Sequence, residues 1–590
     1  MQIHELNTLG SIPGNTDFLA IDTGFDTAKI SADKLLEPKL NRPIDEHNQY
    51  DDGADGQLLR SKGDGSTEWS DVGQPTDAQT AQAVSDWLDA HPEATTTVAD
   101  GSLTETKFSA ALQLQTIKDY VTPEMFGAVG DGVADDSAAV QAAFDSGKSV
   151  LCQNAYLVSD LTITNPLILR GGEFINGGST NYVISVSADN VYIENIVLDA
   201  KELSNGISFS YCNNGAVRNC EIKNAKATDD TYALYINRSN DITIDGCLIH
   251  DIANSNSKPT RGILANRSFR TIIQNTIVHD ISSGNDGDGI QIIFDGSSDE
   301  TDEGSTIRNC RIYNCTKRYI KIQQRNCTIE NCILLEDDST FAASDASIAL
   351  YDCNCTIRDS FINGNCVIQI TLGGSELEEA VFENTLIVNN IIKSISTDSS
   401  FTLIGNPTSP ASPFRNLSII GNHFIGLTKF TGITFRNLSG DNLNISNNCF
   451  YNLNTGVYWR WDTGKPNPVI NNVVISNNCF KDIKTTPLYC QYTQYHLNYL
   501  AIIGNVYNVT TGLGGRLNII VIDPASYDTD KITIENNIGN GYDGWARVGS
   551  WSTVPTGVPD GFVYFCRDIL MPVTYFNGNW YKPDGTIYNG

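Results

Sequence analysis

The chain has 590 residues, of which 40% are hydrophobic and 18% charged, a composition typical of a folded protein. Its net charge is −30, with 69 acidic residues against 39 basic ones, so neither nucleic acid nor an anionic membrane is expected as a partner. The 15 cysteines lack the paired spacing of zinc sites, and no apolar run reaches the ~20 residues of a membrane-spanning helix.

The first residues, MQIHELNTLGS, have neither the basic nor the apolar part of a signal peptide, so we expect synthesis in a cytoplasm. Residues 1–120 combine short β-type segments with amphipathic helical patterns at 76–91 and 107–118. The segment GQLLRSKGDGSTEWSDVG (56–73) resembles the glycine-punctuated modules of phage tail fibres. Such short elements bury little by themselves, so we predict that this region attaches to other copies or to a phage particle.

The segment MFGAVGDGVADDSAAVQAAFDSG (125–147) opens the next region. Asp135, Asp136 and Ser137 offer N-cap oxygens to a predicted helix at 137–144, which would close the end of a β-structure. The segment resembles the opening part of the pectate-lyase-like (pectin-lyase fold) superfamily, as found in phage tailspike depolymerases. That resemblance implies a right-handed parallel β-helix, polysaccharide as substrate, and assembly as a homotrimer with the N-terminus on the virion.

A sequence motif of alternating apolar residues around a bend residue, often followed by Cys, recurs through the middle of the chain. The copies lie 22 to 38 residues apart and centre on Asn195, Asn219, Gly246, Asn275, Asn309, Asn331, Asp359, Asn384, Asn422, Asn448, Asn478, Asn505 and Asn537. This period is typical of repeat architectures, and the two-residue alternation indicates strands. We therefore predict an all-β chain with a single-stranded parallel β-helix from about 126 to 537, since Asn tolerates the left-handed backbone of a tight bend.

Several cysteines follow the bend and are predicted to form an interior ladder of thiols: Cys220, Cys247, Cys310, Cys332, Cys449 and Cys479. After the repeats, MPVTYFNGNWYKPDGTIYNG (571–590) is rich in aromatic and turn residues and resembles the closing segment of phage tail proteins. The predicted division is 1–120 for attachment, 121–540 for the β-helix and 541–590 for a C-terminal aromatic β segment.

The candidate site lies in the long repeat of 34 residues between Asn275 and Asn309, which contains the acidic stretch 282–305. Aligning IQI with IKI of the next coil places Lys321 over Gln291. Glycoside hydrolysis requires two carboxylates, so the predicted catalytic residues are Asp286, Asp288 and Asp295. The predicted substrate-binding residues on neighbouring coils are Arg261, Arg318, Lys321 and Tyr235, together with Trp459 and Trp461 of YWRWDTG.

Other interpretations of these residues stay open. The aspartates also suit turns, Arg318 and Lys321 also suit surface ion pairs, and the tryptophans also suit packing against a neighbouring chain. Asp288 and Lys321 match parts of the polygalacturonase motifs, but the remaining motif residues are absent, so that mechanism is not carried over. The acidic stretch matches the spacing of neither the EF-hand nor the nonapeptide calcium loop, and we predict neither a metal site nor a cofactor.

Together these features predict a homotrimeric phage tailspike that depolymerises a bacterial capsular polysaccharide or O-antigen by glycoside hydrolysis. Cations beside one carboxylate would depress its pKa and leave the other carboxyl protonated as the acid. The N-terminus would bind the phage tail or baseplate, which places the protein on the virion tail. The alternatives are a polysaccharide lyase on the same fold and a receptor-binding spike without catalysis.

Overall fold

The structure is a computed structural model, and it describes the chain from residue 120 onward with gaps. The described residues are 120–178, 180–254, 256, 258–294, 303–335, 346–351, 354–364, 368–370, 382–394, 402–405, 413–427, 430–462, 464, 467–490, 496–509, 520–521, 532–539, 547–549, 563–566, 571–582 and 586–588. In the N-terminal region it describes the strands Gln2–Ile3, Phe18–Asp22, Thr27–Ser31, Gln57–Ser61 and Thr67–Asp71. The chain divides into two compact units, Met1–Thr116 and Ile117–Gly590.

The second unit winds into coils that each contribute strands to three long parallel sheets, here numbered in the order in which a coil visits them. The strands of sheet 1 are Tyr120–Val121, Ser149–Leu151, Leu167–Arg170, Val191–Glu194, Asn213–Arg218, Asn240–Asp245, Ile272–Gln274, Thr306–Arg308, Thr328–Glu330, Thr356–Arg358, Phe382–Glu383, Leu386–Val388, Phe414–Ile420, Gly440–Ser446, Val469–Ser476, His496–Ile503 and Ile532–Glu535. The strands of sheet 2 are Asp131–Asp135, Ala155–Val158, Glu173–Asn176, Val197–Asp199, Glu221–Lys223, Leu248–Asn254, Ile277–Ser283, Arg311–Cys315, Ile333–Leu335, Phe361–Gly364, Ile391–Ser394, His423–Ile425, Cys449–Tyr451, Cys479–Ile483, Val506–Val509 and Ile538–Gly539. The strands of sheet 3 are Leu161–Ile163, Tyr182–Val186, Asn205–Ser210, Thr231–Asn237, Thr260–Asn266, Gly287–Ile293, Arg318–Gln323, Ala346–Leu350, Ile368–Ile370, Thr402–Gly405, Thr431–Arg436, Thr455–Arg460, Thr486–Cys490 and Ile520–Val521.

Every strand of sheet 3 pairs in parallel with the equivalent strand one coil away, so the predicted parallel β-helix is confirmed. In the strands whose side chains are described, the inward residues are mostly buried aliphatic or aromatic side chains, as at Ile263, Ile290 and Ile320, which are 0% exposed. One continuous apolar core therefore fills the inside of the coils, and most polar residues lie on the outer faces of the sheets.

The bend from sheet 1 to sheet 2 is made by the residue that the sequence singled out in the earlier coils. Asn219 and Asn275 have φ values of 51° and 52° there, and Gly246 takes the same left-handed conformation at 67°. In the later coils our assignment was one position too late: Gly421 and Asn447 make the bend. The copy placed at Asn384 was also misaligned, because the bend of that coil is made by Asn389 (φ 56°).

The later asparagines that we had placed at the bend are buried next to it and form a ladder of amides. The side-chain Nδ2 of Asn448 donates to Oδ1 of Asn478 at 3.0 Å and to the carbonyl of Ile419 at 2.8 Å. Its Oδ1 accepts from the backbone N and the Nδ2 of Asn422, at 2.9 and 3.0 Å. Each amide thus satisfies buried groups of two coils.

Cysteines hold the same inward position in earlier coils: Cys220, Cys247, Cys310 and Cys332. Their thiols are buried and form no disulfide, as predicted. Cys449 and Cys479 were wrongly included in that interior ladder. Because Asn448 and Asn478 take the inward position in their coils, these two cysteines follow on the outer face of sheet 2, where they are only half-buried.

A helix at Ser137–Asp145, preceded by a 3₁₀ turn at Pro123–Phe126, contributes Val140, Ala143 and Phe144 to the core. Its side-chain cap is Asp135, whose Oδ1 accepts from the backbone N of Ser137 at 3.0 Å. Asp136 makes no such bond, contrary to the prediction. Its carboxylate instead accepts from the backbone N of Val129 and of Gly130, which orders the preceding turn.

The C-terminal aromatic segment forms a small sheet of the strands Arg547–Gly549, Val563–Cys566, Met571–Phe576 and Asn579–Tyr581. The last two strands pair as a hairpin in which Trp580 is 7% exposed and packs against the ring of Tyr575 at 5.2 Å. The domain boundaries at 120 and 540 stay predictions.

Candidate functional site

The predicted site residues come together on the outer face of sheet 3. Parallel pairing places Asp288 between Arg261 of the preceding coil and Arg318 of the following one. In the adjacent column Gln291 pairs with Lys321. These are the neighbours that the sequence alignment of successive coils predicted.

A break in the alternation of side chains along the strand Gly287–Ile293 makes this arrangement possible. Strict alternation would place Asp288 on the same side as Ile290 and Ile292, inside the core. A Cβ at Gly289 would lie 2.7 Å from Cγ2 of Ile312, so Gly289 also faces the core, next to the inward Ile290. Two consecutive residues thus face inward, and this break in the alternation directs Asp288 toward the outer face.

Asp286 immediately precedes that strand and is the carboxylate on which the cations converge. Nη2 of Arg261 donates to its Oδ2 at 2.7 Å, and Nη2 of Arg318 donates to its Oδ1. Nζ of Lys321 lies 3.5 Å from Oδ2, and Nζ of Lys317 lies 3.6 Å from Oδ1. The side chain of Asp286 remains 15% exposed, so solvent or a ligand can reach it.

Asp288 is 0% exposed. Nε of Arg318 donates to its Oδ1 at 2.8 Å, whereas its Oδ2 accepts no hydrogen bond from the described residues and lies 3.8 Å from Nη2 of Arg261. Because Arg318 contacts both carboxyl groups, it fixes Asp286 and Asp288 relative to each other.

The environment shifts the pKa values of the two carboxyl groups in opposite directions. Burial by itself would raise the pKa of Asp286, but the charges of Arg318, Lys321 and Arg261 outweigh it and lower that pKa. Burial raises the pKa of Asp288, and Arg318 and Arg261 only partly compensate. Asp286 is therefore the ionised carboxylate, and Asp288 is the group that more readily holds a proton.

Lys321 completes the cluster. Burial lowers its pKa, and repulsion from Arg318 adds to the effect, against the attraction of the two carboxylates. Its Nζ lies 5.7 Å from the centre of the Tyr351 ring, and Nη1 of Arg318 donates to the Tyr351 hydroxyl at 3.1 Å. The sequence analysis missed Tyr351, although its place directly after the strand Ala346–Leu350, one coil beyond Lys321, could have identified it.

Tyr235 lies on the same face, two coils before Gln291. Its ring stacks on Tyr232 at 4.9 Å and on Tyr182 at 6.2 Å, and the hydroxyl of Tyr232 donates to Asp230 at 2.9 Å. Tyr232 pairs with Arg261 across the coils, so this aromatic group adjoins the charged cluster. Tyr235 of this aromatic group was predicted from the sequence, whereas Tyr182 was not.

The remaining predicted residues do not join the cluster in the described part of the chain. Trp459 is 0% exposed and stacks on Phe435 inside the core, so its ring offers no face to a sugar. Trp461 is half-buried and packs against the core. Asp295 lies outside the described residues. Among those that are described, no group of three or more His, Cys, Asp or Glu side chains is arranged to hold a metal ion, and no helix is long and apolar enough to span a membrane.

Comparison with known proteins gives one family match and two short curated matches. The family described as "Right handed beta helix region" matches residues 232–407. A capsule K30/K69-specific depolymerase of Klebsiella phage K5-2 is 32% identical over 105 residues, which is 15% of this chain and 13% of that protein. A depolymerase of Klebsiella phage K64-1 with the same capsule specificity is 41% identical over 63 residues, 10% of this chain and 8% of that protein. The matches thus span only a small part of these relatives.

Solved structures with a similar fold are more distant in sequence. The Streptococcus pneumoniae surface adhesin PfbA is 15% identical with a TM-score of 0.44, and the match covers 65% of this chain and all of that one. The Dettilon tailspike protein is 14% identical with a TM-score of 0.42, covering 64% of this chain and 73% of that one. The family match begins at Tyr232 and ends at residue 407, and within this range the described strands of successive coils pair in parallel.

Proposed function

We propose that this chain is a phage tailspike that binds and depolymerises a bacterial capsular polysaccharide, with the cluster around Asp286 as its reaction site. The observation that carries the proposal is the pair of adjacent carboxyl groups whose pKa values are shifted in opposite directions. Such pairs are characteristic of acid–base catalysis. The two curated relatives are capsule depolymerases from Klebsiella phages, which supports the substrate class.

The charge of the cluster favours an acidic glycan. Two arginines and two lysines surround two carboxyl groups, in a chain whose net charge is −30. Because four cationic side chains share only two carboxyl groups, the cluster carries a cationic excess. A carboxylate on the sugar would be attracted to this excess, whereas the rest of the acidic surface would repel it.

For hydrolysis, we assign Asp286 as the carboxylate that meets the sugar, because it is ionised and partly exposed. Asp288 is fully buried, so we assign it the task of positioning Arg318 and holding a proton close to Asp286. A second carboxyl group that reaches the sugar is required, and Asp295 remains our candidate. Arg261, Arg318 and Lys321 would orient the acidic sugar, and Tyr235 with its stacked neighbours would flank it.

A polysaccharide lyase is the second candidate, and Lys321 favours it. A lyase requires a base that takes the proton beside a uronate carboxylate, and cations that stabilise the resulting enolate. A lysine whose pKa is lowered by burial, next to two arginines, meets both requirements.

We also propose that the protein acts as a homotrimer on the virion tail and attaches through residues 1–120. The support is the resemblance of the opening, N-terminal and C-terminal segments to phage tail proteins. Three parallel solenoids around a closed symmetry axis would bury faces that are exposed in the single chain.

The test is to incubate the purified protein with capsular polysaccharide of known structure and to size the products by chromatography. New reducing ends without ultraviolet absorbance support hydrolysis, and an absorbing unsaturated uronide supports the lyase. Carboxyl-reduced capsule tests the acidic-glycan part, since its cleavage should be much slower. Tight binding without any shortening of the polymer would overturn the enzymatic proposal in favour of a receptor-binding spike.

A further inference from the structure

An apolar column runs along the outer face of sheet 2, formed by the first outward residue after each bend. Parallel pairing aligns its members from coil to coil: Leu248, Ile277, Arg311, Ile333, Phe361, Ile391, His423, Cys449, Cys479, Val506 and Ile538. We call this column the outer ladder. Ile333, Ile391 and Val506 are 43%, 42% and 44% exposed, and Ile538 is 67% exposed. Scattered exposed aliphatic residues are ordinary, but a row of them in register is not.

The second outward column of the same sheet, two residues further along each strand, mixes apolar, amide and lysine side chains. Between Arg311 and Ile538 it contains Tyr313, Leu335, Asn363, Lys393, Ile425, Tyr451, Lys481 and Asn508. All residues of the two columns over this span are described, and none of them is Asp or Glu. The chain as a whole has 69 acidic residues against 39 basic ones, so two columns of this length without a carboxylate are a marked local exception, although the half-buried Asp482 lies next to Lys481 in the same strand.

The shape of the ladder indicates what kind of partner fits it. Strands of neighbouring coils are about 4.8 Å apart, so the nine steps from Ile277 to Ile538 span about 43 Å in a straight line. A partner that covers such a row must itself be long and straight, with the same repeat. Another copy of this β-helix has these properties by construction.

The net charge of the chain also favours a second copy as the partner. Two chains with a net charge of −30 repel each other, and carboxylates brought face to face at a contact would add a local penalty. The outer ladder is a face on which two copies can touch without opposing carboxylates. The cationic residues of the two columns, Arg311 in the outer ladder and Lys393 and Lys481 in the second column, would then be attracted to a neighbour that is acidic overall.

We propose that copies of this chain pack side by side through the outer ladder of sheet 2. This inference rests on the homotrimer suggested above and deepens it, since it assigns the contact to one face. It does not depend on catalysis. The Asp286 cluster lies on sheet 3, so the contact leaves that face open to polysaccharide.

The test is the mass of the intact protein in the absence of polysaccharide, measured by sedimentation. The mass of wild type should be a multiple of the 64.4 kDa chain mass. The double variant Ile333→Glu/Ile391→Glu should have the mass of one chain, which is a three-fold fall for a trimer. The matched control is Val474→Glu, an aliphatic residue 37% exposed on the outer face of sheet 1, which should leave the mass unchanged. A monomeric wild type, or ladder variants that keep the full mass, would overturn the proposal.

A measurement on wild type avoids the risk that the variants fail to fold. Cys449 and Cys479 belong to the ladder and are half-buried in the single chain, whereas Cys220 and Cys247 are buried in the core. If copies cover the ladder, maleimide should label Cys449 and Cys479 at least ten-fold more slowly in the assembled protein than in protein dissociated by dilution or mild denaturant. Equal labelling rates in both states would refute the assignment. Because neither experiment uses a glycan, a failure here is separate from a failure of the depolymerase proposal.

Discussion

Replacing Asp286 by Asn removes the negative charge on which two arginines and two lysines converge, and leaves those cations facing one another in a largely buried site. A unit charge pair at 4 Å and an effective dielectric constant of 20 is worth about 4 kcal/mol, before desolvation is counted. Removal of one partner from a buried pair costs about 3–5 kcal/mol in practice. Because the Asp286 side chain keeps 15% exposure, we expect the lower end, about 3 kcal/mol of local stability.

The pH dependence of this loss has a definite sign. The cations lower the pKa of Asp286 in the folded chain despite its burial, so its stabilising effect is complete above the unfolded pKa of about 3.9. The effect is lost as the pH falls through the lower folded pKa, where the carboxylate takes up a proton. Wild type and Asp286→Asn should therefore differ most at neutral pH and become alike in strong acid.

Hydrogen exchange of the amides in the strand Arg318–Gln323 measures the local stability, and the rate of capsule shortening measures activity. We expect faster exchange in this strand and a rate reduced by about 10²–10⁴, the usual range for loss of an acid–base group. The matched control is Asp241→Asn, which breaks the Arg270 pair at a surface site where both side chains are 44–45% exposed. That pair should contribute less than about 1 kcal/mol and nothing to the rate. Capsule cleavage by Asp286→Asn at the wild-type rate would refute the assignment of the site.

Three further changes test separate parts of the structure. Asp288→Asn keeps an acceptor for Arg318 and removes a charge that burial disfavours, so stability at pH 7 should change by less than about 1 kcal/mol; a rate unchanged across the pH range would exclude the proton-holding role. Lys321→Met keeps the aliphatic stem and removes the charge. If the enzyme is a hydrolase, the variant should have a KM for acidic capsule raised about ten-fold and an unchanged kcat. Loss of kcat would indicate a lyase. Asn448→Ala removes the partner of two buried backbone groups, the N–H of Asn422 and the carbonyl of Ile419, and should lower the free energy of unfolding by about 1–3 kcal/mol for each group. Asn448→Ser should lower it by less. Equal denaturant midpoints for the Ala variant and wild type would contradict the amide ladder.

The repeat could be predicted because its cause is local. A bend residue must adopt left-handed backbone angles, Asn and Gly do so at low cost, and this requirement returns once per coil, as at Asn219 and Gly246. The same analysis misplaced the bend at Asn448, because two asparagines stand side by side there and composition cannot tell which one bends and which one turns inward. Which of the two asparagines turns inward depends on the neighbouring coil, because the inward amide must form hydrogen bonds with the buried polar groups of that coil.

The exposure of individual side chains was harder to predict than the register between strands of successive coils. Trp459 lies in a run of aromatic and charged residues that looked suited to sugar binding, yet strand alternation turns it into the core against Phe435. Asp288 shows the converse: alternation alone would bury it beside Ile290, and only the break in alternation at Gly289 directs it outward. The burial of Trp459 follows from an uninterrupted alternation and the outward direction of Asp288 from an interrupted one, and a single sequence does not reveal where the interruption falls.

A parallel β-helix explains why such a site can arise from few residues. Arg261, Asp288 and Arg318 are 27 and 30 residues apart in sequence, but each step is one coil, so the side chains are neighbours about 4.8 Å apart. At the same register the flanking coils carry Tyr232 on one side and Ala346 on the other, so the charged column ends after three rungs. The core of these coils is built alike throughout, and the chemistry is therefore confined to outward positions that the fold leaves free to vary. The same reasoning applies to sheet 2, where the two outward columns contain no Asp or Glu from Arg311 to Ile538 and the outer ladder is largely apolar. One scaffold thus presents a charged column, which we assign to a glycan, on one face and a largely apolar column, which we assign to a second copy, on another.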